Sequence, residues 1–193
     1  MERYYLDLVR RLGCPDTGTH VELFVEAAAE AECETRFQAA GISKLAPLVC
    51  LAPGAGFGPS KLWPLSYVAE VAAELRADGA QVALVHGPGE QALADRICEL
   101  AGAGIVSLGG EGMSLSLLKS VLSRAQLLIC NDAGARHVAA AFEVPTLVLS
   151  PSRYTVPGIV SRIWAVASSP LLPQLEMSPA PMKIWGGLAV TSP

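Results

Sequence analysis

The sequence predicts an α/β fold built on a parallel, doubly wound sheet. Three observations predict it. Between residues 47 and 150, short apolar runs (PLVCLA, QVALV, IVSL, QLLIC, PTLVL) alternate with longer stretches of helical period. Alternation of this kind is what successive right-handed β-α-β crossovers require. The runs are rich in Val, Leu and Ile and nearly free of charge, as expected of strands covered on both faces. Glycine-rich turns (GAGFG, HGPG, NDAG) follow the first, second and fourth runs, and these are the strand ends where open parallel sheets hold their ligands.

The elements follow in order. Residues 1–46 are the most charged stretch. Tyr5, Leu8, Val9 and Leu12 recur at helical spacing, and Gly13 follows as a stop signal. A second helix, rich in Ala and Glu, is expected over about 20–40. It reads as exposed, making residues 1–46 a helical lead-in outside the core. After the PLVCLA strand comes a helix over 65–78, with Val68, Val71, Ala72 and Leu75 on one face and Glu70, Glu74 and Asp78 off it. The QVALV strand leads to a helix over 90–101 with Leu93, Ile97 and Leu100 inward. IVSL is a weak strand, followed by a helix over 114–124 for which Ser114 is the N-cap candidate. QLLIC, a short helix ending near 142 and PTLVL complete residues 47–150. Residues 151–193 hold seven of the fourteen prolines and only four charged residues. They read as a proline-rich, loop-like tail.

Composition excludes several classes. A chain of 193 residues and 20.1 kDa allows one domain and a short appendage, at roughly 100–200 residues per domain. Fourteen Lys and Arg against eighteen Asp and Glu give a net charge of −4, which argues against a nucleic-acid binder that works by neutralising phosphates. Mean hydropathy is +0.40, yet no uninterrupted apolar stretch approaches the roughly 18 residues of a transmembrane helix. The start, MERYYLDLVRR, lacks the apolar region of a signal peptide. Cys14, Cys33, Cys50, Cys98 and Cys130 form no CxxC pair and are odd in number. That points to reduced thiols in a cytoplasmic protein, not to a disulfide frame or a zinc site. Cys50 and Cys130, inside strand-like runs, read as small buried hydrophobes.

Three clusters carry candidate chemistry. In APGAGFGPSKLWP, Gly54, Gly56 and Gly58 let the backbone approach a ligand, and Lys61 supplies a fixed positive charge. Neither GxxxxGK[ST] nor GxGxxG is present. In HGPGE, Glu90 begins a helix. It either complements the helix dipole, for about 0.3–1 kcal/mol, or accepts hydrogen bonds from two vicinal hydroxyls of a ribose. The second strand ends on His86 and Gly87 where a dinucleotide-binding domain has an acid. In NDAGARH, Asp132 is a plain N-cap or a ligand group. Ala133 and Gly134 open a helix whose free amides suit an anion, and His137 lies one turn further on. Met113, after the third strand, fills the core or packs against a flat base.

These residues, in this order, resemble glycosyltransferase family 9, the ADP-heptose:lipopolysaccharide heptosyltransferases. The likeness runs through PGAGFGPSKLWP, HGPGE and GEGMSLSLLKSVLSRAQLLICNDAGARHVAAAFEVPTLVL, about residues 47–150. YYLDLVRRLG loosely resembles the linker between the family's halves. The resemblance implies a GT-B fold of two Rossmann-like domains, of which this chain resembles the C-terminal, donor-binding one. It implies a partner, ADP-heptose or a similar nucleotide sugar, with no resident cofactor and no metal. Lys61 then meets the donor's phosphates, Glu90 the ribose and Met113 the adenine. Asp132 lies near the donor sugar, Ala133 and Gly134 give their amides to the pyrophosphate, and His137 belongs to the same motif. The family's catalytic aspartate lies in the N-terminal half, so no catalytic residue is assigned here, and the chain is expected to be incomplete as a catalyst alone. Ala133 stands where the family favours Ser or Thr, and LSPSRYT where it has a Gly-Pro-Thr stretch. The implied location is cytoplasmic, at the inner face of the inner membrane, with peripheral membrane contact through the acceptor. An uncovered face between halves would favour self-association. Two alternatives stay open: another nucleotide-sugar transferase of this fold, and a non-catalytic interaction domain that kept the fold. A dehydrogenase lacks its glycine fingerprint here, and a serine hydrolase its GxSxG.

Overall fold

A computed structural model describes residues 2–15, 18, 20–54, 62–131 and 133–149, the first two by backbone only, and the backbone of three further short strands. Two helices lead, α1 (Glu2–Arg11) and α2 (Ala27–Ala39). The alternating region follows as β1 (Leu48–Ala52), α3 (Leu65–Ala77), β2 (Gln81–Leu84), α4 (Gln91–Ala101), β3 (Ile105–Ser107), α5 (Leu115–Ser123), β4 (Leu127–Asn131), α6 (Ala135–Ala141) and β5 (Thr146–Leu149). Strands β6 (Ile163–Val166), β7 (Met182–Ile184) and β8 (Leu188–Val190) come last.

The main sheet has the order β3-β2-β1-β4-β5-β6. β1 to β5 pair in parallel, with Val49 opposite Val82 on one side and Leu127 on the other. β6 adds antiparallel to β5, and β7 and β8 pair with each other. The order reverses between β1 and β4, so the loops leaving these strands turn to opposite faces and open a crevice.

Alternate residues of each strand feed two cores. Cys50, Ala83, Leu128, Cys130 and Val148 face α2, α5 and α6. Val49, Leu51, Val82, Leu84, Ile129 and Leu147 face α3 and α4. The period of two along β1, β2 and β4 therefore produces a three-layer sandwich, and burial of both faces explains why these runs read as continuously apolar. Burial pushes the Cys50 thiol up to about 12, because the thiolate would lose its hydration. No disulfide joins any of the five cysteines.

Several expectations hold in detail. Ser114 caps α5, its hydroxyl accepting the Leu117 amide at 3.0 Å. Gly13 follows α1 at φ 82°. Val68, Ala72 and Leu75 are buried from α3, with Val71 partly so. Others are corrected. In α4 the buried stripe is Ala94 and Ile97, while Leu100 is 44% exposed; the helix packs through its small residue, which turns Leu100 off the interface. Within the proline-rich, loop-like tail lie the short strands β6, β7 and β8.

The larger correction concerns α2. It was expected to be exposed, but Ala29, Cys33 and Phe37 recur every fourth residue and are buried in the core against α5. The stripe is one small, one medium and one large residue among glutamates, too weak to register as an apolar face. Charge completes the contact. Glu30 accepts hydrogen bonds from Ser120 Oγ at 2.7 Å and from Arg124. Glu34 accepts from Arg124 at 2.8 Å, and the Arg124 guanidinium stacks 5.4 Å from the Phe37 ring centroid. The bonds from Arg124 and then Ser120 hold the Glu30 carboxyl below its usual range. By contrast α1 leaves Tyr4, Tyr5 and Leu8 exposed, and Leu12 just beyond it is exposed too.

Two outcomes follow from this packing. Phe37→Ala is expected to cost about 3 kcal/mol in urea unfolding, as for other large-to-small core changes; an exposed lead-in helix would lose almost nothing. Because Glu30 is depressed in the folded state, its contribution is complete above the unfolded carboxyl value, near 4.5, and is lost as pH falls through the folded value. Unfolding free energy measured from pH 7 to pH 3 should therefore fall less steeply in Glu30→Gln than in the wild type.

Candidate functional site

The carboxyl ends of β3, β2, β1 and β4 are tied to one another by side chains that the turns themselves supply. At the β1–β4 crevice, Asn131 ends β4 and is 1% exposed. Its Nδ2 donates to the Pro53 carbonyl at 2.5 Å. Its Oδ1 is buried and has no partner among the described residues. A buried amide normally satisfies both ends, so this oxygen marks the crevice as a place where polarity has been retained.

Glu90 joins the same peptide from the other side. It stands at the N-cap of α4 but makes no side-chain cap bond. Instead its Oε2 accepts the Gly87 amide at 2.9 Å, and the carboxylate lies against Gly54. Glu90 thus makes no capping hydrogen bond to its own helix. Pro53–Gly54 becomes the junction at which the β2 and β4 loops meet.

His86, just past β2, is 4% exposed. Its Nδ1 lies 3.3 Å from the Gly87 carbonyl and its Nε2 2.8 Å from Ser107 Oγ. A carbonyl only accepts, so Nδ1 carries a proton toward Gly87, and the Ser107 hydroxyl, which can donate or accept, partners Nε2. The ring fills the space over Gly109, where a β-carbon would fall 2.5 Å from Nε2. The Gly110 amide donates to the His86 carbonyl at 3.3 Å, and the Met113 amide to the Gly110 carbonyl at 3.0 Å. His86 therefore links the β2 turn to the β3 turn that carries Met113, itself packed against the α5 side of the core.

The remaining sequence candidates fall as follows. Gly134 is the N-cap of α6, with right-handed helical backbone and no side-chain cap bond, so the helix begins one residue beyond it. Ala133 precedes it and is half-buried. The Arg136 amide donates to the Ala133 carbonyl at 3.4 Å, and the His137 amide to the Gly134 carbonyl at 3.0 Å. His137 is exposed on α6, with Arg136 Nε donating to its Nε2 at 3.2 Å. Lys61 and Asp132 lie outside the described residues. The structure thus draws Glu90 and the end of β4 to Pro53–Gly54, sets Met113 behind the His86 turn, and places Ala133, Gly134 and His137 beyond β4. Sequence reasoning missed Asn131 and the supporting part played by His86. A polar residue closing an apolar strand at its carboxyl end was the available signal for both. Among the described residues, no cluster of three His, Cys, Asp or Glu could hold a metal ion.

A sheet of this order with its crevice at the β1–β4 reversal is a Rossmann-like domain, of the kind paired in GT-B glycosyltransferases. The sequence model of glycosyltransferase family 9 (heptosyltransferase) matches residues 3–156, and the chain belongs to that family. Lipopolysaccharide heptosyltransferase 2 of Salmonella typhimurium is 35% identical over 113 residues, covering 56% of this chain and 32% of that protein. Lipooligosaccharide heptosyltransferase 2 of Haemophilus influenzae is 29% identical over 143 residues, covering 70% and 41%. Among solved structures, the E. coli ADP-heptose LPS heptosyltransferase II superposes with a TM-score of 0.60 at 28% identity, over 72% of this chain and 42% of that one. A family 9 glycosyltransferase from Veillonella parvula gives 0.70 at 23% identity, over 75% and 41%. The matched stretch therefore spans about two fifths or less of each relative's length.

The glycine under His86 gives a direct check on this edge. Gly109→Ala forces a β-carbon into a buried ring held on two sides, and should cost about 1–3 kcal/mol in chemical denaturation, the range of overpacked cores.

Proposed function

We propose that this chain is the donor-binding part of a heptosyltransferase for lipopolysaccharide core synthesis, holding ADP-heptose or a similar nucleotide sugar. The observation that carries the reading is the family match across residues 3–156, on a sheet whose candidate loops share one edge. In this reading the ribose hydroxyls donate to Glu90 and the adenine packs on Met113. Lys61 and the amides of Ala133 and Gly134 face the diphosphate, with Asp132 near the sugar and His137 as part of the same motif. An acceptor hydroxyl, deprotonated by an aspartate on an acceptor-binding half, attacks the anomeric carbon. The bond from that carbon to the phosphate oxygen breaks, and ADP leaves.

The part played by this chain is electrostatic. Negative charge grows on the departing diphosphate, and a lysine with two preorganised amides stabilises it without reorganisation. Ala133 supplies no hydroxyl to this task, so Lys61 carries a larger share. Among the described residues, no helix is long and apolar enough to cross a membrane. The proposed place of work is the cytoplasmic face of the inner membrane, reached through the lipid-linked acceptor.

Titration calorimetry tests the reading. ADP should bind the folded chain with measurable heat and more tightly than UDP. Lys61→Ala should weaken ADP about ten- to hundredfold, the loss of one charge-assisted hydrogen bond. Folded protein that gives no heat at millimolar ADP overturns the proposal. Tighter binding of UDP moves it to another nucleotide-sugar transferase.

A further inference from the structure

An acid at the N-cap of a helix ordinarily turns toward its own helix, where amides and the dipole favour it. Glu90 does not. Its carboxylate folds back to the Gly87 amide and lies across Gly54, the residue after the β1–β4 brace. A β-carbon on residue 54 would stand 2.5 Å from both Cδ and Oε2 of Glu90, and closer still to Oε1. Atoms do not approach so closely without a repulsive cost that displaces one of them. Gly54 is not among the glycines with positive φ, so its backbone conformation does not demand glycine. What occupies the space of its missing β-carbon is the carboxylate.

We infer that Gly54 is a positioning residue of this site: its missing side chain is the seat that holds the Glu90 carboxylate over the crevice, ready for the vicinal hydroxyls of a ribose. The inference rests on the nucleotide reading above. Oε2 is engaged by Gly87, and Oε1 has no partner among the described residues. A hydroxyl pair on a ribose is a chemical match for a carboxylate fixed in this way, since each hydroxyl donates one hydrogen bond to an acceptor that cannot donate. Any side chain at position 54 takes the space of the carboxylate. Because Glu90 ends a flexible chain, it yields before the backbone does, and the fold survives while the acceptor is lost. The residue at position 54 therefore sets the discrimination between nucleoside diphosphates with and without ribose hydroxyls.

The experiment compares the full chain, Gly54→Ala, Glu90→Ala and the double variant, with ADP and 2′,3′-dideoxy-ADP as probes. Gly54→Ala should weaken ADP about tenfold, the size of one hydrogen bond to a charged group, and leave dideoxy-ADP unchanged. Glu90→Ala should do the same, and the double variant should lose no more than either single one, because both remove one interaction. In nitrogen-proton spectra without ligand, the Gly87 amide should move in Gly54→Ala as it does in Glu90→Ala. An unmoved Gly87 amide in Gly54→Ala overturns the inference, whatever ADP does. So do additive losses, or equal weakening of both nucleotides. A wild type that binds no ADP while the Gly87 amide still moves overturns the nucleotide reading, and with it the ribose part of this inference, but supports the seating of Glu90.

Discussion

The hydrogen bond from the Asn131 amide to the Pro53 carbonyl sits where two parallel strands stop being a sheet. β1 and β4 pair as far as Ala52 and Cys130. One residue later the β1–β4 ladder has ended, while Asn131 still pairs with Leu149 of β5. The Pro53 carbonyl lies past the last β1–β4 pair. A buried side-chain amide replaces the missing rung, at a net worth of about 1 kcal/mol and a larger cost if broken. Two of the site's loops start from the two sides of that brace: the glycine-rich loop from Pro53, and the β4–α6 turn from Asn131.

The molecule separates its structural charge from its candidate chemistry. Arg124 follows the carboxyl end of α5 and joins it to Glu30 and Glu34 of α2. That end of α5 precedes β4, so these ion pairs lie toward the amino edge of the sheet. Glu90, Asn131 and Gly134 lie at the carboxyl edge. Both edges use side chains that reach across sequence, but to different ends. At the amino edge, opposite charges satisfy each other and fix a helix. At the carboxyl edge, an acid and an amide are held by backbone groups, which leaves an oxygen of each without a protein partner among the described residues.

Glycine makes the carboxyl edge possible in a specific way. Gly54 and Gly109 are there for space and not for unusual backbone angles. In each case a polar side chain from the β2 turn occupies the place where a β-carbon would be. One strand end, residues 86–90, thereby reaches both neighbours, β1 and β3, and sets three loops relative to one another.

The strand and helix order, the doubly wound sheet, the Ser114 cap and the burial of Cys50 and Cys130 were all legible in the sequence. They arise from local period and composition: a two-residue alternation, a helical repeat, a hydroxyl before a helix. The motifs that identify the family were legible for the same reason, since their residues are neighbours in the chain. The burial of α2 was not, because its stripe is apolar only in the company of α5 and Arg124. The direction of the Glu90 carboxylate was not, because the group that decides it, Gly54, is distant in sequence. The same holds for Asn131 and Pro53, and for His86 and Gly109. A chain states the period of its own elements, but steric room and hydrogen-bond partners between strand ends exist only once the sheet has brought those ends together.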